Sequence, residues 1–197
     1  MHIQVADNRE RHLIDTALTL FAERGFNAVT TTEIIKKARI SKQSFYHYFN
    51  NKQQLLASIL EYIWQKMADQ MIELAENANL DPLEKVDLLI ENTIDLFCKS
   101  PKLALVFFNE HNPVLRGTND SLNAHYINYL KAFASIFKAG VQGNYIDEQI
   151  DGGAFLLFIF GGLMNTLNEW AMQPELFPID KLRTSLKHQI KHGILKW

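Results

Sequence analysis

Apolar residues recur at spacings of three and four along almost the whole chain, and no stretch alternates with period two long enough to predict a strand. The pattern predicts an all-α protein of about nine helices. A first helix is expected from about Asn8 to Arg24, with Leu13, Ala17, Leu20 and Phe21 on one apolar stripe and Gly25 placed to stop it. Asp7 and Glu10 have capping-box spacing at its start. Thr30 and Glu33 repeat that spacing and open a short second helix ending at Ala38. After a turn at Ile40 and Ser41, Ser41 caps a third helix from Lys42 to Phe49. Asn51 and Gln54 give an Asn/Gln version of the same box, opening a long fourth helix to about Glu76.

Beyond Glu76 the helical pattern continues. Pro82 suits the first turn of a helix reaching Phe97, and Ser100-Pro101 breaks it. A short apolar helix from Lys102 to Glu110 is expected to end before Pro113, followed by a loop at Gly117-Thr118-Asn119-Asp120. A helix from about Ser121 to Gly140 comes next. Asp147 is expected to cap one reaching Met172, and a last helix runs from Ile179 to about Leu195.

Charge sharpens this outline. Residues 1–55 hold eight Lys/Arg against five Asp/Glu, and the remainder twelve against seventeen. A basic head on an acidic body fits a nucleic-acid reader joined to a separate sensing or assembly unit. The division predicted is residues 1–50 for a DNA-binding domain and 51–197 for a helical sensing or assembly domain, which the family resemblance given below makes an effector-binding and dimerisation domain. The single cysteine, Cys98, excludes an intramolecular disulfide and predicts a core thiol in a reducing compartment. The longest apolar run, Ala154 to Met164, is about half the ~20 residues of a membrane span, so a soluble cytoplasmic protein is expected.

Three short helices followed by a long one suit a helix-turn-helix, in which one helix supports and the next enters the major groove. The third helix should expose Lys42, Gln43, Ser44 and His47 in its N-terminal half. Gln pairs bidentately with adenine, Lys donates to guanine, and Ser accepts several partners. Phe45 and Phe49, four apart, should face inward and anchor the helix. The run from Thr30 to Leu55, with Glu33-Ile34, Ala38, Ile40-Ser41-Lys42, Phe45-Tyr46-His47-Tyr48-Phe49 and Lys52, resembles the TetR-family DNA-binding signature. Ala22-Glu23-Arg24-Gly25-Phe26 before it matches as well. The resemblance covers about residues 10–60 in motif, and the rest in helix number and length.

The resemblance implies a transcriptional regulator, and by family frequency a repressor, bound to a palindromic operator as a homodimer. It implies phosphate contacts from Tyr46, His47, Thr32 and Lys52. Two positions depart from the family pattern. Arg39 stands where Gly is usual, at a cost of roughly 1 kcal/mol if the position needs φ > 0. Ile35 stands for a usual Ala.

The helix ending at Met172 is apolar nearly all round, so one side can face the body and another a second subunit. Gly152, Gly153, Gly161 and Gly162 each cost helix propensity, which close helix packing would offset. Leu163, Thr166, Leu167 and Trp170, with Leu182 and Leu186 from the last helix, are the expected dimer contacts.

An effector pocket is implied among the aromatics of the middle helices. Its expected lining includes Trp64, Phe97, Phe107, Phe108 and His111. Tyr126, Tyr129, Phe133, Phe158, Asn165 and Glu169 complete the candidate set. A small, largely apolar or aromatic effector of unspecified identity fits best. Read singly, each of these aromatics also fits a plain core.

His188 and His192 are four apart, but nothing completes a metal set, so no metal, cofactor or catalytic residue is expected. Two other readings stay open: an architectural DNA binder without an effector, and a helical small-molecule enzyme or carrier.

Overall fold

The computed structural model describes residues 8–115 and 120–194. Among the described residues the chain is all α, with nine helices: α1 (Asn8–Arg24), α2 (Thr31–Ala38), α3 (Lys42–Tyr48), α4 (Lys52–Glu76), α5 (Pro82–Cys98), α6 (Pro101–Leu115), α7 (Asp120–Gln142), α8 (Gly152–Met172) and α9 (Ile179–Ile194). The expected cap at Asp7, the loop at 117–119 and the end at Leu195 lie outside the described residues.

The head forms because its helix ends are specified by side chains. Thr30 accepts from the Glu33 amide, while Glu33 Oε2 accepts from the Thr30 amide at 2.8 Å and its hydroxyl at 2.9 Å. Glu33 Oε1 accepts from Arg24 at 2.8 Å, tying the end of α1 to the start of α2. Ser41 and Asn51 accept from Ser44 and Gln54 amides at the starts of α3 and α4. Gly25 ends α1 with φ +77°, and Arg39 ends α2 with φ +54° and ψ +41°, both left-handed. Behind these ends Leu13, Ile14, Ala17, Leu20 and Phe21 of α1 bury with Val29, Ile34, Phe45 and Leu55.

The fourth helix belongs to two cores. Leu55 and Leu56 close the head. Ile59, Leu60, Ile63, Trp64, Met67 and Met71 continue the same stripe into the body. There α7 lies beside α4 in the same direction. Ser121 donates to Glu61 near one end, and Asn128, Lys131 and Ser135 approach Ile72 and Glu76 further along.

Several expected boundaries move, among them the end of α5, at Cys98 rather than Phe97, and the start of α6, at Pro101 rather than Lys102. The sixth helix does not stop before Pro113 but runs to Leu115; a proline removes only one backbone donor, and this helix ends within two residues of it. The cap of α8 is Asp151, accepting from Ala154 N at 2.7 Å, not Asp147. Asp147 instead accepts from Gln149 N at 3.0 Å, and its carbonyl from Ile150 N, so it shapes the turn before the helix. The third helix ends at Tyr48, with Phe49 as extended cap.

The last helix, α9, is fastened to α5 by charge. Arg183 bonds Glu91 and Asp95, Lys187 bonds Glu91 at 2.9 Å, and Lys191 meets Asp87 at 2.6 Å. Burial alone would raise the Glu91 pKa, but the hydrogen bonds from Lys187 and Arg183 outweigh it and hold the carboxyl below its usual value. No helix among the described residues is long and apolar enough to cross a membrane.

Removing the Thr30 hydroxyl should lower stability by about 1 kcal/mol in urea unfolding of Thr30→Ala. Glu33, held near pKa 2 by the Arg24 hydrogen bond first and the Thr30 bonds second, adds a pH signature. Its folded pKa is depressed, so its contribution is present above the unfolded value of about 4.3 and lost as pH falls towards 2. The stability gap between the native chain and Glu33→Gln should therefore narrow over that window. A gap independent of pH would show that the charge of Glu33 contributes nothing.

Candidate nucleic-acid interface and effector site

The orientation of α3 is set from its buried side. Phe45 is fully buried, with its ring 5.3 Å from Tyr46 and 6.3 Å from Phe49. This leaves Lys42, Gln43, Tyr46 and His47 exposed, and Ser44 and Tyr48 half-buried. The His47 ring stands edge-on to Tyr48 at 4.9 Å, which restrains both. Gln43, Ser44 and His47 share a shallow depression with Ser41, Tyr48 and Arg9 of α1. Arg9 is not among the expected residues, because it lies on another helix more than thirty positions earlier in the sequence. Thr32 is exposed in the first turn of α2, where backbone amides also point outward. His12 Nε2 lies 3.1 Å from the Ala38 carbonyl, joining α1 to the end of α2.

Lys52 departs from expectation. Its ammonium is turned inward, donating to the carbonyls of Phe26 at 2.8 Å and Val29 at 2.7 Å, with Asn27 at 3.5 Å and the Phe26 ring centroid at 4.3 Å. Three donors meet three carbonyls, leaving none for a phosphate. In the 26–29 segment the Phe26 carbonyl also accepts from Val29 N at 3.3 Å and the Ala28 carbonyl from Arg24 at 3.3 Å, and Lys52 supplies a charged donor to the rest of the cluster. No signal in the sequence marks this, since the partner atoms are backbone.

In the body, Trp64 is fully buried and surrounded by Phe107, Tyr126, Tyr129 and Phe160. The Phe160 ring stacks on it at 5.7 Å, and Tyr126 meets it edge-on at 4.9 Å. Phe97 and Phe108 extend the group through Phe107. His111 stacks on Phe107 at 4.7 Å. Its Nδ1 lies 2.8 Å from the Phe107 carbonyl, so that nitrogen carries the proton. Burial lowers the His111 pKa, opposed by hydrogen bonds to the Phe107 and Phe108 carbonyls, so the net shift favours the neutral ring. The Trp64 indole N–H is buried without an acceptor among the described residues, an arrangement that costs about 1–3 kcal/mol.

Not every expected lining residue joins this group. Phe133 belongs to a second cluster with Phe137 and Phe155. Phe158 is 74% exposed and Asn165 is exposed, both on the open side of α8. Phe160, two residues on, takes the inward position. Glu169 is half-buried. A helix apolar on every side does not reveal its inward phase.

The same ambiguity bears on the expected dimer set. Leu163, Leu167 and Trp170 are buried within the single chain, and Thr166, Leu182 and Leu186 are half-buried. The open side of α8 instead shows Leu157 (71% exposed), Phe158 and Met172. Between them, Gly161 and Gly162 have nothing within 4 Å of where a Cβ would stand. Of the four glycines only Gly152 is closely packed by its own chain, its Cβ position lying 2.8 Å from the Phe137 ring.

A three-helix head with a clamped, outward-facing α3, carried on a long helix that continues into an all-helical body, defines a helix-turn-helix protein with a regulatory domain. The family model described as "Bacterial regulatory proteins, tetR family" matches residues 13–59, and one described as "YsiA-like protein, C-terminal region" matches residues 57–193. The chain belongs to the TetR family of DNA-binding transcriptional regulators.

Among its relatives, the fatty acid metabolism regulator protein of Bacillus subtilis (strain 168) is 26% identical over 183 residues, covering 92% of this chain and 93% of that protein. The HTH-type transcriptional regulator YxaF of the same organism is 32% identical over 163 residues, covering 76% and 84%. The crystal structure of the regulator FadR from Bacillus subtilis in complex with stearoyl-CoA superposes with a TM-score of 0.75 at 27% identity. It covers 93% of this chain and 98% of that one.

Lys52→Ala should destabilise the head by about 2 kcal/mol, because three carbonyls lose a charged donor. The melting temperature should fall by about 5 °C, whereas Lys42→Ala should leave it unchanged. An unshifted melt for Lys52→Ala would show that the ammonium does not brace the 26–29 segment.

Proposed function

We propose that the protein is a ligand-responsive repressor that grips an inverted-repeat operator as a homodimer, with α3 of each copy in the major groove. One observation carries this reading: α3 presents Lys42, Gln43, Tyr46 and His47 outward while Phe45 and Phe49 clamp it from behind. In this reading Gln43 and Lys42 read base edges, Ser44 contributes at the groove edge, and Tyr46, His47 and Thr32 contact phosphates. Residues 1–50 form the DNA-binding unit and 51–197 the effector-binding and dimerisation unit.

The open side of α8 is the proposed dimer contact. Leu157, Phe158 and Met172 are large apolar side chains left in water, and the bare backbone at Gly161 and Gly162 lets a second helix approach closely. Two heads are needed because one helix-turn-helix makes too few contacts to be specific.

The proposed effector class is an acyl-CoA thioester. The fatty acid metabolism regulator is related along nearly its whole length, and the FadR structure holds stearoyl-CoA. The aromatic group around Trp64 suits an apolar acyl chain, and the unpaired indole N–H suits a thioester carbonyl. Entry requires the stacked rings of Trp64 and Phe160 to part. That displaces α4, whose first turn is tied to the head, and changes the spacing of the two α3 helices. The effector works only by binding the parted state better.

Selection of bound duplexes from a random library at moderate salt should return an inverted repeat. Gln43→Ala should relax specificity at one position in each half, by about 1–3 kcal/mol. Tyr46→Ala should weaken all duplexes alike. Recovery of DNA with no preferred sequence would overturn the repressor reading in favour of an architectural binder. Phe158→Asp should yield a folded monomer by sedimentation that no longer binds the operator; a persistent dimer would exclude this face. Long-chain acyl-CoA titrated into the operator complex should release DNA from the native chain. A filled, unresponsive body, as the close packing around Trp64 would give an architectural protein, would show no release by any acyl-CoA.

A further inference from the structure

We infer that Arg39 is a DNA-backbone contact built into the turn between α2 and α3, held there against backbone strain; the inference rests on the proposed docking of α3. The second helix ends in a two-bond motif. Ile40 N donates to the Ile35 carbonyl at 3.3 Å and Arg39 N to the Lys36 carbonyl at 3.2 Å. This closure demands a left-handed residue at position 39, where Gly and then Asn fit most easily, because a larger side chain presses its Cβ against the backbone. Arg39 adopts it nonetheless. The cap itself uses backbone atoms and the half-buried Ile35 and Ile40, so the guanidinium adds nothing to it.

The side chain is exposed and makes no hydrogen bond or ion pair among the described residues. Its surroundings are cationic. Arg39 shares an open depression with Lys36, Lys37 and Arg24, and with two carboxylates, Glu23 and Glu33. Those carboxylates are already engaged: Glu33 by Arg24 at 2.8 Å and Glu23 by Lys37 at 3.6 Å. Lys36 and Arg39 are therefore the cations of this patch without a carboxylate partner among the described residues. Position 39 precedes Ser41, the cap of α3, by two residues. A cation there flanks the helix proposed to enter the groove, beside a polymer bearing one charge per about 1.7 Å. A planar guanidinium is suited to a bidentate grip on a phosphate. A strained backbone at a position whose side chain serves no fold purpose points to a function for that side chain.

A competing account has Arg39 stabilise the negative end of α2 through its charge. The two accounts predict opposite stability changes. Arg39→Gly and Arg39→Asn both relieve the left-handed strain and should raise the melting temperature by about 2–4 °C. Both should weaken binding to the selected operator and to a scrambled duplex by the same factor. The slope of log affinity against log salt should become shallower by about 0.9 per half-site, or roughly 2 per dimer. Arg39→Lys should retain most of the slope.

Unchanged affinity and salt slope in both neutral variants would overturn the inference, as would a lower melting temperature with intact DNA binding. Failure of the native chain itself to bind any duplex at low salt would be a failure of the docking reading instead, and is scored on the native chain before the variants are compared.

Discussion

The ammonium of Lys52, donated to the carbonyls of Phe26 and Val29, ties the head to the first turn of the helix that runs on into the body, and a second tie comes from α6, where Lys102 donates to Thr19 of α1 at 3.1 Å. The segment from Phe26 to Val29 passes between α1 and α2, and the Val29 carbonyl and the second lone pair of Phe26 find their donor in Lys52. Because the cation stands on α4, the head cannot reorient independently of that helix. The same helix carries Trp64 and Met71 into the body, where α7 lies along it. In the proposed switch this continuous helix is the element that would carry a displacement among the body aromatics to the head.

The body is held by two different kinds of force. Around Trp64 the contacts are aromatic and nearly dry, and they leave one indole donor unanswered. Between α5 and α9 the contacts are charged, with Glu91 shared by Arg183 and Lys187. Partly exposed ion pairs contribute little each, but a shared carboxylate fixes register. That register matters here because α9 packs against α8, whose outer side is the proposed dimer contact.

How much of this was legible depended on whether the information was local. The helices of the head could be placed almost to the residue because Thr30, Glu33, Ser41 and Asn51 write their capping bonds into short spacings. The left-handed turn at Arg39 was legible only through the family resemblance, which has Gly at that position. What failed was the phase of α8. With Phe155, Leu157, Phe158, Ile159 and Phe160 in near succession, sequence cannot say which of these faces inward. Phe158, expected to line a pocket, lies in solvent, and Leu163, expected at a subunit contact, lies in the core. The role of Lys52 was hidden because its partners are backbone carbonyls 23 to 26 positions earlier. Likewise Asp147 and Asp151 both precede α8 with usable spacing, and only the turn between them decides which one caps it.

The central claim, two copies reading one dyad through α3, is tested most directly by hydroxyl-radical footprinting on a selected duplex together with the mass of the complex. The account predicts two chains per bound unit, or a multiple of two, and protected windows related by a dyad and centred about one helical turn apart, ~34 Å. A single window with one chain, or even protection along the duplex regardless of sequence, would contradict it.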